Sequence, residues 1–144
     1  MKIGLDVHGV VDKYPDVFAR LTKVLKGKGH EIIIITGREL CTELFDKLDT
    51  LGVAYNDVFS ITSYHKRIGT HVTYKDGDPT QPLIAPPLWD RTKADFCKQE
   101  GVAVHFDDSL VYGKYFEEID TQYILVNEGI AEVLRLILEG AVTL

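Results

Sequence analysis

Short, unbroken apolar runs alternate along the chain with longer segments in which apolar residues recur every three or four positions. The runs "KIGLD" at residues 2–6 and "EIIIIT" at residues 31–36 favour strands that are buried on both faces. Between them, the apolar positions from Val17 to Leu25 follow helical spacing. The leucines between residues 40 and 51 predict a second helix, which Gly52 ends.

The same alternation continues in the second half of the chain. It predicts three further strands and two further helices: strands at 57–62, 102–106 and 122–126, and helices from 92 to about 100 and from 130 to 138. Strand–helix alternation is typical of a parallel sheet with helices on both faces. We therefore predict an α/β fold with a three-layer, Rossmann-like parallel sheet, as a single domain over residues 1–144.

One segment, residues 63–90, interrupts this alternation. It contains the turn signal "KDGD" at 75–78 between two β-like arms, and then the pair Pro86–Pro87, which argues against a helix there. We expect a small β-hairpin insertion between Thr70 and Ala85. Because a short hairpin is marginally stable without a packing partner, we expect it to act as a small lid or as a contact in a homo-oligomer.

The composition is that of an ordinary globular protein, with 45% hydrophobic and 26% charged residues. A net charge of −6 argues against nucleic-acid binding, and no apolar run approaches the ~20 residues of a membrane span. The opening apolar run is short and ends on a charge, so we expect no signal peptide. Cys41 and Cys97 lack motif spacing, which predicts reduced thiols and a cytoplasmic protein. His65, His71 and His105 are scattered and predict no zinc site.

Polar side chains follow three of the predicted strands directly. Asp6 follows the first strand, "TGR" at 36–38 ends the second, and "DDS" at 107–109 follows the fourth. Lys93 is expected at the start of the helix that leads into the fourth strand, with Thr92 as the N-cap. Because ligands bind at the carboxyl ends of parallel strands, we expect these groups to converge on one edge of the sheet.

These residue types suit the chemistry of phosphate esters. Carboxylates are ligands for Mg²⁺, and a carboxylate such as Asp6 can also attack phosphorus. The hydroxyl of Thr36 and the backbone N–H groups that follow it, from Gly37 onward, are predicted to bind phosphate oxygens at the start of a helix. The ammonium group of Lys93 can neutralise both the phosphate and the attacking carboxylate.

The stretches "GLDVHGVVD", "IIIITGR", the lone Lys93 and "VHFDDS" resemble, in this order, the four motifs of the haloacid dehalogenase (HAD) superfamily of phosphohydrolases. The resemblance implies a small, nearly capless, Mg²⁺-dependent phosphatase that hydrolyses a phosphate monoester through an aspartyl-phosphate. It also implies these roles: Asp6 as nucleophile and metal ligand, Thr36 as phosphate binder, Lys93 as charge-stabilising lysine, Asp107 and Asp108 as the acidic motif that holds Mg²⁺, and the backbone carbonyl of His8 as the group that completes the metal site.

His8 stands where this superfamily usually has a second aspartate, which serves as general acid and base. An imidazole titrates near neutral pH, but beside a metal ion we expect it to be a competent base and a poor acid. Two interpretations stay open: a phosphatase in which His8 is catalytic, and a HAD-like protein that binds a phosphorylated ligand or partner with little or no turnover. A phospho-receiver domain fits less well, because receivers place the acidic pair after the first strand.

Overall fold

The computed structural model describes residues 1–140, so the last four residues of the predicted domain, 141–144, lie outside the described part. The strands are β1 (Lys2–Leu5), β2 (Glu31–Thr36), β3 (Asp57–Ser60), β4 (Thr73–Tyr74), β5 (Pro82–Leu83), β6 (Val102–Asp107) and β7 (Gln122–Leu125). The helices are α1 (Pro15–Gly27), α2 (Thr42–Leu51), α3 (Ile61–Arg67), α4 (Pro86–Glu100) and α5 (Glu128–Leu138).

Five of the strands form a parallel sheet in the order β3-β2-β1-β6-β7. The middle strand is β1, in which Leu5 pairs with Ile34 of β2 on one side and with Phe106 of β6 on the other. The strand order changes direction between β1 and β6, which is where open parallel sheets bind ligands. Asp6 and Asp107 are therefore neighbours at the carboxyl edge of this sheet.

Successive residues of β2 face two different helical layers. Ile32 and Ile34 belong to a core that also contains residues of α1, α2 and α5, whereas Ile33 and Ile35 belong to a second core with α4. All four isoleucines are at most 4% exposed, as their unbroken apolar run predicted. The predicted α/β class, a Rossmann-like parallel sheet with helices on both faces, is confirmed at this level.

The predicted third strand is too long at its carboxyl end. β3 stops at Ser60, and α3 begins at the next residue, Ile61, within the predicted strand, and continues into the segment from residue 63 onward, where no helix is predicted. The reason is a helix cap: the hydroxyl of Ser60 accepts a hydrogen bond from the backbone N–H of Ser63 at 3.0 Å.

The predicted start of the fourth helix is also wrong. α4 begins at Pro86, six residues before Thr92, because prolines are tolerated in the first helical turn, where the backbone N–H groups have no partner within the helix. Thr92 is no N-cap, since its hydroxyl donates to the backbone oxygen of Leu88 one turn earlier. Lys93 therefore lies in the middle of the helix, one turn after Trp89 and on the same face.

The predicted hairpin is present as two short antiparallel strands, β4 and β5, in which Thr73 pairs with Leu83. The "KDGD" segment directly follows β4 and begins the connection to β5, with Asp76 at a φ of 52°. Within residues 1–140, no helix is long and apolar enough to cross a membrane. Cys41 and Cys97 are both free thiols.

Candidate active site

A cavity of about 680 Å³ lies at the carboxyl edge of the sheet. Its walls come from the segments that follow β1, β2 and β6, from one face of α4, and from the hairpin residues Thr80 and Gln81. The predicted site residues that line it are Asp6, His8, Thr36, Gly37, Lys93 and Asp108. Asp107 is fully buried beside them and does not line the cavity.

Lys93 joins the two carboxylates that end the neighbouring strands. Its Nζ atom lies 3.0 Å from Oδ1 of Asp6 and 2.7 Å from Oδ2 of Asp107. All three side chains are at most 10% exposed. Because a buried charge is costly unless it is paired, each of these groups depends on the others for its place in the fold.

The three members of this ion cluster differ in their protonation. Burial raises the pKa of Asp6 to about 7, although Lys93 acts against this shift. Burial acts in the same direction on Asp107, but the hydrogen bond from His105 and the charge of Lys93 outweigh it and hold the pKa of that carboxyl well below its usual range. Burial disfavours the charged form of Lys93, yet the two carboxylates raise its pKa. Lys93 and Asp107 are therefore charged, and the charge of Asp6 depends on what binds in the cavity.

His105 holds Asp107 in place, a role that the sequence analysis missed. Its Nε2 atom lies 2.9 Å from Oδ2 of Asp107, and both side chains are completely buried. Burial lowers the pKa of His105, so the neutral ring donates through Nε2. Its Nδ1 atom has no hydrogen-bond partner among residues 1–140 and lies against Gly4, where a Cβ would come within 2.7 Å. The sequence does contain a signal for this contact: His105 and Asp107 are two residues apart on a strand, and residues with this spacing share a face.

Three carboxylates at the edge of the cavity could hold a metal ion. Asp6, Asp107 and Asp108 each offer an oxygen atom, and these atoms lie within 4.8 Å of one another. Gly9 makes the approach of Asp108 possible, because its φ is +79° and a Cβ there would lie 1.9 Å from a carboxylate oxygen of Asp108. Hard carboxylate oxygens beside a cavity with room for water suit Mg²⁺, which commonly keeps several water ligands.

Thr36 is placed differently from the prediction. It is buried at the end of β2, but α2 begins only at Thr42, so the turn after Thr36 is not the start of a helix. The Thr36 hydroxyl instead accepts a hydrogen bond from the backbone N–H of Arg38 at 3.2 Å. Thr62 donates its hydroxyl to the backbone oxygen of Gly37 at 2.6 Å. Side chains of α3 and β2, rather than a helix dipole, thus fix the turn that borders the cavity.

His8 lies at the mouth of the cavity with a side chain that is 95% exposed. Its Nδ1 atom lies 3.3 Å from Oδ2 of Asp12, which also pairs with Lys47 at 3.2 Å. The other oxygen of Asp12 accepts the backbone N–H of Gly9 at 2.7 Å, so the carboxylate is fixed. With Nδ1 donating to Asp12, the Nε2 atom of His8 carries a lone pair that can accept a proton.

Trp89 and Tyr112 complete the wall of the cavity, and neither belongs to a predicted motif. The indole N–H of Trp89 donates to the hydroxyl oxygen of Tyr112 at 2.7 Å. The Tyr112 ring also lies beside the ion cluster, with Nζ of Lys93 5.1 Å from the ring centroid. Burial raises the pKa of Tyr112, which keeps its hydroxyl protonated. Trp89 was missed because α4 was expected to start after it.

Comparisons with known proteins add information on the fold alone. No protein-family description matches the chain, and no curated protein matches it. A solved structure of an uncharacterized protein from Corynebacterium glutamicum ATCC 13032 Kitasato is similar, with a TM-score of 0.51 and 18% sequence identity. The match covers 96% of this chain and 94% of that chain. The chain therefore shares its overall Rossmann-like architecture with a protein whose description states no activity.

Proposed function

We propose that this protein is a Mg²⁺-dependent phosphatase of the HAD type, which hydrolyses a phosphate monoester through an aspartyl-phosphate on Asp6. The observation that carries the proposal is the ion cluster: Lys93 lies between Asp6 and Asp107 at the ends of adjacent strands. A carboxylate that reaches a cavity next to a buried ammonium group is arranged to meet an anionic substrate. Asp108 adds a third oxygen for a metal ion.

In the first step an oxygen of Asp6 attacks the phosphorus atom of the ester. A new bond forms between this oxygen and phosphorus while the ester P–O bond breaks, and the electron pair leaves with the oxygen of the leaving group. Lys93 stabilises the charge on the phosphoryl oxygens, and the Thr36–Gly37 turn orients them. When bound by Asp6, Asp107 and Asp108, Mg²⁺ would supply further positive charge to the phosphate oxygens.

In the second step water hydrolyses the aspartyl-phosphate. The Nε2 atom of His8 accepts a proton from the water as its oxygen attacks phosphorus, and the bond between Asp6 and phosphorus breaks. Inorganic phosphate and the Asp6 carboxylate are the products. Asp12 orients the imidazole ring for this step through the Nδ1 contact at 3.3 Å.

The experiment that tests the proposal is a screen of phosphate release. Aryl, acyl, sugar and nucleoside phosphates are supplied separately, each with Mg²⁺ or with a chelator. We expect release from at least one class, and only in the presence of Mg²⁺. If no ester is hydrolysed but a phosphorylated compound binds, the protein is the alternative, a binding protein with little or no turnover. The exposure of His8 favours that second candidate, because a side chain in solvent is held less firmly over the phosphoryl group than one packed inside the cavity.

Removing a carboxylate from the metal cluster is expected to weaken Mg²⁺ binding at least about tenfold. Asp107→Ala and Asp108→Ala each leave two of the three oxygen donors, too few for a hard cation that competes with its own hydration. Isothermal titration calorimetry measures the affinity directly. Asp46→Ala, which removes an exposed carboxylate on α2, serves as the matched control. Unchanged Mg²⁺ affinity in both cluster variants would contradict the site, and Asp108, being exposed, can be replaced without disturbing the core.

Substitutions of His8 are expected to separate the two proton transfers. His8→Ala should lower turnover on every substrate by about 10²-fold, the usual value of one general base. His8→Asp should raise turnover on alkyl phosphates relative to the wild type, because a carboxyl group can also protonate the leaving oxygen. Initial rates on matched alkyl and aryl phosphates measure both effects, with the exposed neighbour Lys13→Ala as control. Full activity of His8→Ala would mean that His8 is not catalytic.

A further inference from the structure

Trp89 and Tyr112 form a fixed aromatic pair in the cavity. The indole N–H of Trp89 donates a hydrogen bond of 2.7 Å to the Tyr112 hydroxyl, and this bond fixes the orientation of the two rings relative to each other. Both side chains are half-buried, and both line the cavity together with Asp6 and Lys93. Half-buried aromatic rings on a cavity wall offer apolar surface that a ligand can cover.

The position of the pair relates it to the phosphate. Trp89 packs on the turn after Thr36: a Cβ added to Gly37 would lie 2.5 Å from the six-membered part of the indole. On the other side, Tyr112 lies beside Nζ of Lys93, at 5.1 Å from its ring centroid. A phosphoryl group held between the Thr36 turn and Lys93 therefore has the two rings beside it. The leaving group of a phosphate ester bound in this position would contact the aromatic pair.

The size of the cavity shows that phosphate alone does not fill it. About 680 Å³ is within the range of roughly 300–1,000 Å³ that proteins use for small organic ligands. The remaining part of the cavity is bordered by the rings of Trp89 and Tyr112. A flat, apolar group attached to the phosphoryl group suits this surface.

We propose that the Trp89–Tyr112 pair is a subsite for the leaving group, and that the substrate is a small aryl phosphate. This inference rests on the proposed function. A phenoxide leaves as a stable anion, so the bond from phosphorus to its oxygen breaks without protonation. The flat ring of the leaving group lies against Trp89 and Tyr112, in the offset or edge-to-face contacts that aromatic rings prefer.

The test uses phosphonates, which bind as phosphate esters do but carry a carbon–phosphorus bond in place of the ester bond. Phenylphosphonate and methylphosphonate are titrated into the Mg²⁺-loaded protein by calorimetry. Trp89 is the single tryptophan of the chain, so its fluorescence gives a second measure of binding at the subsite. We expect phenylphosphonate to bind about tenfold more tightly than methylphosphonate.

Variants distinguish the subsite from a structural role of the two rings. Trp89→Leu and Tyr112→Leu should reduce the ratio of the affinities for phenylphosphonate and methylphosphonate from about ten to about one, whereas Tyr112→Phe retains the ring and should retain the preference. Phe45→Leu, an exposed aromatic on α2 outside the cavity, is the control. Equal wild-type affinity for the two phosphonates overturns the subsite but not the phosphatase. Binding of neither phosphonate overturns the phosphate site, and the subsite with it.

Discussion

Asp6→Asn is expected to lower phosphate release by on the order of 10⁴- to 10⁶-fold, which is the cost of losing a nucleophile in a covalent mechanism. The amide has nearly the shape of the carboxylate but cannot attack phosphorus. The fold should survive, because Lys93 keeps its contact of 2.7 Å with Asp107. Initial rates on the best substrate of the screen measure the loss. Acid quenching during turnover, followed by mass spectrometry, should find a phosphoryl group on the peptide that contains Asp6.

The control for this experiment is Asp46→Asn, the same chemical change at an exposed position on α2. It should retain wild-type rates and thermal stability. If Asp6→Asn kept more than a tenth of the wild-type rate, or if the quenched enzyme carried its phosphoryl group elsewhere, the covalent mechanism on Asp6 would be wrong. Asp107 would then be a poor substitute as nucleophile, because it is fully buried and does not line the cavity.

Lys93→Met should destabilise the protein by about 3–5 kcal/mol, the usual cost of removing one partner from a buried ion pair. Methionine fills a similar volume, but it leaves Asp6 and Asp107 side by side without a cation in a buried position. A domain of this size has a total stability of about 5–15 kcal/mol, so the melting temperature should fall by roughly 10 °C or more. Denaturant unfolding followed by circular dichroism measures the change.

A matched control for Lys93 lies on the same helix. Lys98→Met replaces an exposed lysine of α4 and should change stability by at most about 0.5 kcal/mol. The double variant Lys93→Met with Asp6→Asn should recover part of the lost stability, because only one buried carboxylate then lacks its cation. Equal stabilities of Lys93→Met and Lys98→Met would show that the cluster does not contribute to the fold.

The parts of the fold that the sequence predicted well are those with an unambiguous apolar pattern. The run of isoleucines in β2 has one compatible environment, the middle of a parallel sheet, and each isoleucine is buried there. The errors lie where a local signal was overridden. The pair Pro86–Pro87 argues against a helix, but the two prolines form the first turn of α4. The apolar pattern extends the third strand over Ile61 and Thr62, but these residues begin α3, which Ser60 caps.

Some residues of the candidate site could likewise be predicted from the apolar pattern, and others could not. Asp6, Lys93 and Asp107 could be named from their positions after or before apolar runs, because strand ends converge in any parallel sheet. Trp89 and Tyr112 could not, since they act through a contact between residues distant in the sequence, and Trp89 also lies before the predicted start of its helix. The role of His105 was missed although its spacing from Asp107, two residues along the same strand, was visible. The phosphatase activity and the Mg²⁺ requirement stay predictions, and the experiments above test them.

The middle position of β1 also imposes an order on the assembly of the molecule. Leu5 pairs with Ile34 on one side and with Phe106 on the other, and the second pairing closes a far longer loop. During synthesis the first half of the sheet can form before β6 has left the ribosome. Asp6 then has neither Lys93 nor Asp107 beside it. Under the proposed function, an unfinished or truncated chain is therefore chemically silent, and catalysis begins only once the strand that carries Asp107 has entered the sheet.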